Sequence, residues 1–343
     1  MTPNARARAL AATHLEAAQS GDRRGFDQLI SPYRRELLAH CYRMLGSIHD
    51  ADDALQDTLL RAWKGIGGYA GRSSLRTWLF RIATNAAIVQ SERRGRAQTP
   101  MDPHWLEPYP HQEDDETSPS AAVDRRESLE LAFVAAVQHL SPKERAVLLL
   151  REVLGFSAQE TAEVLDITVA AVTSRLQRAR VRVRSRLPEE SQRSILRRLD
   201  DRRLRALVAA YVDAWEAGDA DAIVSLLTDD ASFSMPPQAL TIRGRDEIGA
   251  FFRETPLRHP WRLVPTSAGG GQLAFGNYTL EGSTWTAHSV DVVSLRGDKI
   301  SAITAFIEPS LLPILGLPEH LDDTGQPSQA RPRVAQPLQG KPE

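Results

Sequence analysis

The sequence predicts a multidomain chain of two all-α units, the second a helix-turn-helix, followed by an α+β unit with a curved antiparallel sheet. Three observations carry this. Apolar residues recur at helical spacing from about Phe26 to Arg94 and again from about Asp124 to Leu187. Between these stretches, Pro100, Pro103, Pro108, Pro110 and Pro119 forbid regular helix. After Leu227 the chain turns to short segments rich in β-branched and aromatic residues, split by Gly, Pro and Asp.

Composition bounds the classes. The 343 residues suffice for two or three compact units of ~100–150 residues each. A hydrophobic share of 42% supplies several cores. The formal net charge is only −2, so a nucleic-acid partner has to be met by local clusters of Arg. The lone cysteine, Cys41, excludes an intrachain disulfide and a multi-cysteine zinc site. Its apolar helical register predicts a buried thiol, at home in a reducing cytoplasm. No run approaches the ~18–20 apolar residues of a membrane span. Residues 1–20 lack the continuous apolar core of a signal peptide and are expected to be flexible.

The first unit is expected over 21–98. One helix aligns Ile30, Tyr33, Leu37, Cys41 and Leu45; a second aligns Ala51, Leu55, Thr58, Ala62 and Ile66. A glycine-rich loop follows, then a third helix capped near Ser73–Ser74 that stripes Leu75, Trp78, Leu79, Ile82, Ala83 and Ala86. Residues 99–124 read as a proline-rich, acidic linker that carries three unusual apolar anchors, Trp105, Leu106 and Tyr109.

The second helical unit is expected over 125–190. Ser141 to Glu144, with Pro142 at the first helical position, and Ser157 to Glu160 are capping boxes. A break at Asp166-Ile167, with Thr168 able to cap the next helix, makes a helix-turn-helix. The third unit, 201–320, opens with a helix marked by Leu204, Leu207, Val208, Tyr211, Val212 and Trp215 and continues into strands. The tail, 321–343, is rich in Pro, Gln and Gly and is expected to be disordered.

Three surfaces stand out. The second helix exposes Asp50, Asp53 and Asp57, whose like charges cost ~0.2–0.5 kcal/mol per pair, partly offset by Arg61. That face is either simply solvated or a docking surface for a basic partner. The third helix carries Arg76, Arg81, Arg93 and Arg94 off its apolar stripe, with Thr84 and Asn85. Cations interleaved with rings suit single-stranded DNA. Trp63 and Trp78 fall in the apolar register, whereas Tyr69 and Phe80 fall outside it and are the better stacking candidates. On the helix after Thr168, Thr173, Ser174, Arg175, Gln177 and Arg178 surround an apolar stripe, and Arg180, Arg182, Arg184 and Arg186 follow without an acidic residue. Such a helix fits the major groove, its early residues on base edges and its later arginines on phosphates.

At these residues the sequence resembles a known family. The run from Asp50 to Ala87 is similar to the core-polymerase-binding and promoter-melting region of sigma-70 factors, and Ser141 to Leu187 to their C-terminal helix-turn-helix. Two such regions joined by a short linker resemble the extracytoplasmic-function (ECF) group. The stretches AYVDAWEAGDADAIVSLLTDDASFSMPP and IRGRDEIGAFF resemble the SnoaL-like, nuclear-transport-factor-like fold, a cone with a curved sheet. A subgroup of ECF sigma factors carries this tail, and Trp105-Leu-Glu-Pro-Tyr-Pro110 resembles its linker signature.

The resemblance implies a DNA-binding specificity subunit, not an enzyme, with no cofactor or metal. Its partners are promoter DNA and core RNA polymerase, through the β′ clamp helices and the β flap. Asp53, Gln56 and Asp57 fall where the clamp helices dock. Tyr69, Arg76, Phe80, Arg81, Asn85, Arg93 and Arg94 fall where the −10 element is opened and read. Thr173, Ser174, Arg175, Arg178 and Arg182 fall at the −35 element. The tail is implied to be a built-in regulator with room for an unidentified small ligand. Val89 and Thr173 depart from common family residues and leave the promoter sequence open. Two other readings stay open: a ligand-sensing regulator of duplex DNA, and a DNA-binding unit fused to a SnoaL-like cyclase or isomerase that uses Asp213, Asp230, His288 or Asp291.

Overall fold

The computed structural model describes residues 3–97, 106–110, 130–236, 238, 240–268 and 271–322, with the side chains of 3–9 and 94–97 outside the description. The first helical domain holds α1 (Pro3–Gln19), α2 (Arg23–Leu45), α3 (Ile48–Gly65) and α4 (Leu75–Ala97). The expectation of a flexible N-terminus is corrected, because α1 is a helix lying on α2. Its few apolar groups suffice for docking: Ala18 is buried, and Gln19 Nε2 donates to the carbonyls of Ile66 (3.3 Å) and Tyr69 (2.9 Å).

The expected cap forms at Ser74, whose Oγ accepts from the Thr77 amide at 3.0 Å, and Ser47, which the sequence did not single out, caps α3 by accepting from the Asp50 amide at 3.2 Å. Gly46 ends α2 with φ 78°, and a Cβ there would lie 2.3 Å from Leu106 Cδ2. Backbone geometry and close approach both demand glycine. Leu37, Cys41, Met44, Leu79 and Ala83 are wholly buried between the helices. Burial pushes the Cys41 thiol up to about 12, which leaves it an inert packing group.

The second helical domain runs through α5 (Leu131–Gln138), α6 (Pro142–Leu148), a π-helical turn (Leu149–Val153), α7 (Ala158–Leu165) and α8 (Val169–Arg184). Both capping boxes are present in full. Asp166 turns the chain with φ 52°, and Thr168 Oγ1 accepts from Ala171 N at 3.2 Å to start α8.

The C-terminal domain begins with α9 (Gln192–Arg198), α10 (Asp201–Glu216) and α11 (Ala220–Leu226). It continues through β1 (Leu227–Ser234), β2 (Thr241–Arg243), α12 (Arg245–Glu254), β3 (Trp261–Ala268), β4 (Gln272–Glu281), β5 (Thr284–Arg296), β6 (Lys299–Phe306), α13 (Leu311–Ile314) and β7 (His320–Leu321). The sheet order is β2-β1-β6-β5-β4-β3, with β7 on β5. The expected antiparallel sheet is corrected to a mixed one, since β1 and β6 run parallel. Parallel neighbours need a long crossover, supplied here by α12 and the β3–β5 meander. Irregular register at Asn277/Tyr278 and at Ser294/Leu295 bends the sheet. Leu321, expected at the start of the tail, is buried in β7, while 323–343 lie outside the described residues.

The two sheet faces have different partners. Tyr211, Trp215, Phe252, Phe275, Val293 and Leu295 form the domain's own core. The other face presents Ala274, Tyr278, Val290 and Val292 to α13, and this cluster continues without a break into the core of both helical domains. The three units are therefore docked against one another.

Candidate nucleic-acid interface and the interdomain clamp

On α8, Val172, Leu176, Ala179 and Val183 face inward, leaving Thr173, Ser174, Gln177 and Arg178 exposed. Arg175 is only half exposed. The flanks are steered by acids: Glu144 holds Arg182 (2.8 Å) and Arg178 (3.6 Å), and Glu152 holds Arg180 (2.7 Å). Burial pushes the Glu144 carboxyl upward, but its bonds with Ser141 and the charge of Arg182 outweigh this, and it sits below the usual range. Arg178 and Arg182 stay about half exposed. Glu144 itself is buried, so what these pairs leave to a phosphate or guanine edge is the solvent-facing side of each arginine.

Helix α4 divides the seven −10 candidates. Arg81, Asn85 and Arg93 are exposed at four- and eight-residue spacing, one stripe along the helix. Tyr69 is half exposed, tilted against Trp78 with centroids 5.3 Å apart, and donates to the Ser73 carbonyl at 2.6 Å. Arg94 lies in α4, but its side chain is outside the described residues. Phe80 is a correction: it is fully buried, edge-on to His40 (5.3 Å) and against Phe156 of the second domain (5.4 Å). Arg76 is likewise engaged. It pairs with Glu36 at 2.7 Å, donates to the Leu154 carbonyl at 3.0 Å and lies 4.4 Å from the Phe156 ring centroid. The reason is geometric: α4 is covered by α2 and α3 on one side and by the second domain on another, so residues off the first apolar stripe are still buried.

Helix α3 exposes Asp53 and Gln56, while Asp57 pairs with Arg61 at 2.7 Å. Gln56 also borders an open groove lined by Phe26, Ile30, Leu59, Leu60 and Trp63. Leu60, 60% exposed, puts an unusual apolar group beside this acidic face.

The linker is an anchored strap. Leu106 and Tyr109 are buried, and Tyr109 tilts against Tyr42 with centroids 4.8 Å apart. Trp105 lies outside the described residues. Glu107, which the sequence did not single out, is the centre of the strap. Its carboxylate accepts from Ser47 Oγ (3.0 Å), the Ile48 amide (2.8 Å) and His49 Nδ1 (3.0 Å), at the positive end of α3. Its carbonyl accepts from Tyr42 OH at 2.7 Å. On the other side Pro110 bridges to Ala268 of β3. The signal available was a lone acid between apolar anchors and prolines.

Further contacts complete the clamp. Arg145, buried, donates to the Met44 carbonyl across the two helical domains, and Gln138 Nε2 donates to the Arg43 carbonyl at 3.1 Å. Burial lowers the Arg145 pKa to about 10. Gln272 Oε1 of β4 accepts from the Leu131 amide at 2.8 Å, tying the sheet to α5.

The residues named by the cyclase or isomerase reading lie in different settings. Asp213 is exposed, Asp230 is exposed and paired with Arg296 (2.5 Å), and His288 packs edge-on to Trp261 (5.3 Å). Only Asp291 is interior: it accepts from Tyr211 OH at 3.0 Å, and burial raises its carboxyl to about 7.

Family models agree with this division. Sigma-70 region 2 matches residues 29–97, Sigma-70 region 4 matches 130–183, and a SnoaL-like domain matches 208–303. The ECF RNA polymerase sigma factor SigG of Mycobacterium tuberculosis is 43% identical over 321 residues, covering 88% of this chain and 86% of that protein. SigJ of the same species is 27% identical over 277 residues, covering 79% and 85%. The crystal structure of M. tuberculosis SigJ shares the fold, with a TM-score of 0.57 at 24% identity, over 84% of this chain and 99% of that one. With a region 2, a region 4 and a fused SnoaL-like domain in one fold, the chain belongs to the ECF sigma factors, the subunits that bind core RNA polymerase and direct promoter recognition and transcription initiation.

Proposed function

We propose that the SnoaL-like domain is a built-in regulator that holds regions 2 and 4 in a closed arrangement, which must loosen for promoter binding. One observation carries this reading: residues 106–110 bind region 2 through Glu107 and Tyr109 and the C-terminal sheet through Pro110. In the closed form Arg76 and Phe80 face region 4, so they are withheld from DNA. A balance of a few kcal/mol between closed and open forms is enough to set activity. A small ligand in the C-terminal domain shifts this balance only if it binds the two forms unequally.

In the open form, in the cytoplasm with core polymerase, Asp53, Gln56, Asp57 and the groove around Leu60 meet the β′ clamp helices, and region 4 meets the β flap. The stripe of Arg81, Asn85 and Arg93, with Tyr69, meets the −10 element; Thr173, Ser174, Arg175, Arg178 and Arg182 meet the −35 element. The chain acts by recognition and not by turnover.

Run-off transcription at limiting core polymerase tests the regulatory reading. Tyr109→Ala, or truncation after Leu187, raises transcript yield several-fold from a cognate promoter. Unchanged yield and unchanged polymerase affinity in both variants would remove the regulatory role.

A further inference from the structure

The connector between region 4 and the C-terminal sheet is built as a rigid element. Gln192 exchanges two hydrogen bonds with the Leu295 backbone, Nε2 to the carbonyl at 3.1 Å and Oε1 from the amide at 2.6 Å. The Gln192 and Arg193 amides both donate to Glu130 at 3.0 Å, and Ile195 is buried. Buried polar bonds of this kind fix orientation as well as position.

The end of this helix, α9, and the first turn of α10 present cations. Arg197, Arg198, Arg202, Arg203 and Arg205 are all exposed within nine residues. Acids answer two of them: Glu190 pairs with Arg198, and Asp200 with Arg203 at 3.6 Å. Among the described residues, Arg197, Arg202 and Arg205 make no ion pair, and neither does Arg184 at the end of α8. On α10, Leu207, Val208, Tyr211 and Trp215 face the core, and Arg202 and Arg205 sit three apart on the other side. With Asp200 and Asp201 the stretch still carries five arginines against two acids, an excess of three positive charges that a polyanion would neutralise.

We infer that residues 197–205 bind the phosphate backbone of duplex DNA flanking the segment read by α8. Residues 185–191, between α8 and α9, span at most ~25 Å and α9 adds ~10 Å, together about one ~34 Å turn of B-DNA, so the row begins within about one turn of the segment read by α8. In the proposed reading region 2 meets the −10 element on one side of α8, which leaves the flank upstream of the −35 element to the row. The chemistry is sequence-independent, charge on phosphate, and it extends the footprint without adding base readout. The inference rests on α8 as the −35 reader.

Holoenzyme reconstituted with the full chain decides it. The probes are two duplex promoters, one carrying ~30 bp, about three turns, upstream of the −35 element and one ending at that element. The variant is Arg197→Gln, Arg202→Gln, Arg205→Gln together. On the long probe the triple variant lowers the slope of log affinity against log salt by about 2–3, near 0.9 per phosphate lost. On the short probe it matches the unaltered chain, and the corresponding triple Lys variant restores the long-probe slope. Equal slopes on the long probe overturn the inference. An equal loss on both probes, or weakened core-polymerase binding, assigns the row to polymerase or to the fold and also overturns it. Failure of the unaltered chain to bind even the short probe would instead count against α8 as the reader.

Discussion

The guanidinium carbon of Arg76 lies 4.4 Å from the ring centroid of Phe156, joining region 2 to region 4. The same guanidinium takes both carboxylate oxygens of Glu36, at 3.1 and 2.7 Å, so Glu36 aims Arg76 across the interface. Glu36→Gln therefore loosens the two domains and leaves Arg76 intact. A partly exposed pair contributes on the order of 1 kcal/mol, a roughly fivefold change in the closed population. Distances between spin labels on regions 2 and 4 broaden toward longer values in the variant. An unaltered distribution would mean that this ion pair does not hold the interface.

Docking on polymerase is predicted from the acidic face. Asp53 and Asp57 are outside the core, so Asp53→Lys with Asp57→Lys reverses the charge without touching buried groups. Co-purification with core polymerase is lost while the circular dichroism spectrum is retained. A folded double variant that still co-purifies assigns the docking elsewhere.

Promoter readout separates two arginines on one helix. Arg178→Ala costs ~1–3 kcal/mol on the cognate sequence and relaxes specificity at one base pair, as for a bidentate guanine contact. Arg184→Ala weakens all sequences alike and lowers the salt slope by about one. Holoenzyme titrations on −35 variants at several salt concentrations distinguish them, and identical behaviour of the two variants contradicts the division.

The C-terminal domain carries a pH dependence. Burial raises Asp291 to about 7, opposed by hydrogen bonds from Tyr211 and Asn277. The folded carboxyl holds its proton more tightly than the unfolded one. Its contribution is fully present below about pH 4 and is lost as pH rises through about 7. Asn in its place still accepts from Tyr211 and cannot ionise. Asp291→Asn therefore gains thermal stability relative to the unaltered chain between pH 5 and pH 8, by up to a few kcal/mol at ~1.4 kcal/mol per tenfold change in proton affinity. A constant difference across that range rules out Asp291 as the titrating group.

Much of the architecture is determined locally and was legible in the chain. Caps at Ser74, Ser141, Ser157 and Thr168, and the inward stripe of α8, depend on neighbours within a few residues, so spacing alone places them. The same holds for Asp53 of α3 and the arginines of α8, whose helical phase separates them from the core, whereas Asp50, expected on the same exposed face, is half-buried and accepts from Gln90 Nε2 of α4 at 3.2 Å. The chain also marked Leu106 and Tyr109 as apolar groups in need of a partner. What the partner is depended on contacts tens to hundreds of residues away. Phe80 looked available because only one apolar stripe of α4 was visible, yet Phe156, 76 positions later, covers it. Glu107 and Arg145 looked like ordinary charges, and only docking made one an acceptor for the first amides of α3 and the other a bridge to Met44. The parallel pairing of β1 with β6 likewise follows from a crossover spanning most of the domain. Local geometry is set by short-range sterics and hydrogen bonds, whereas burial of a second face is a property of whichever distant element arrives to cover it.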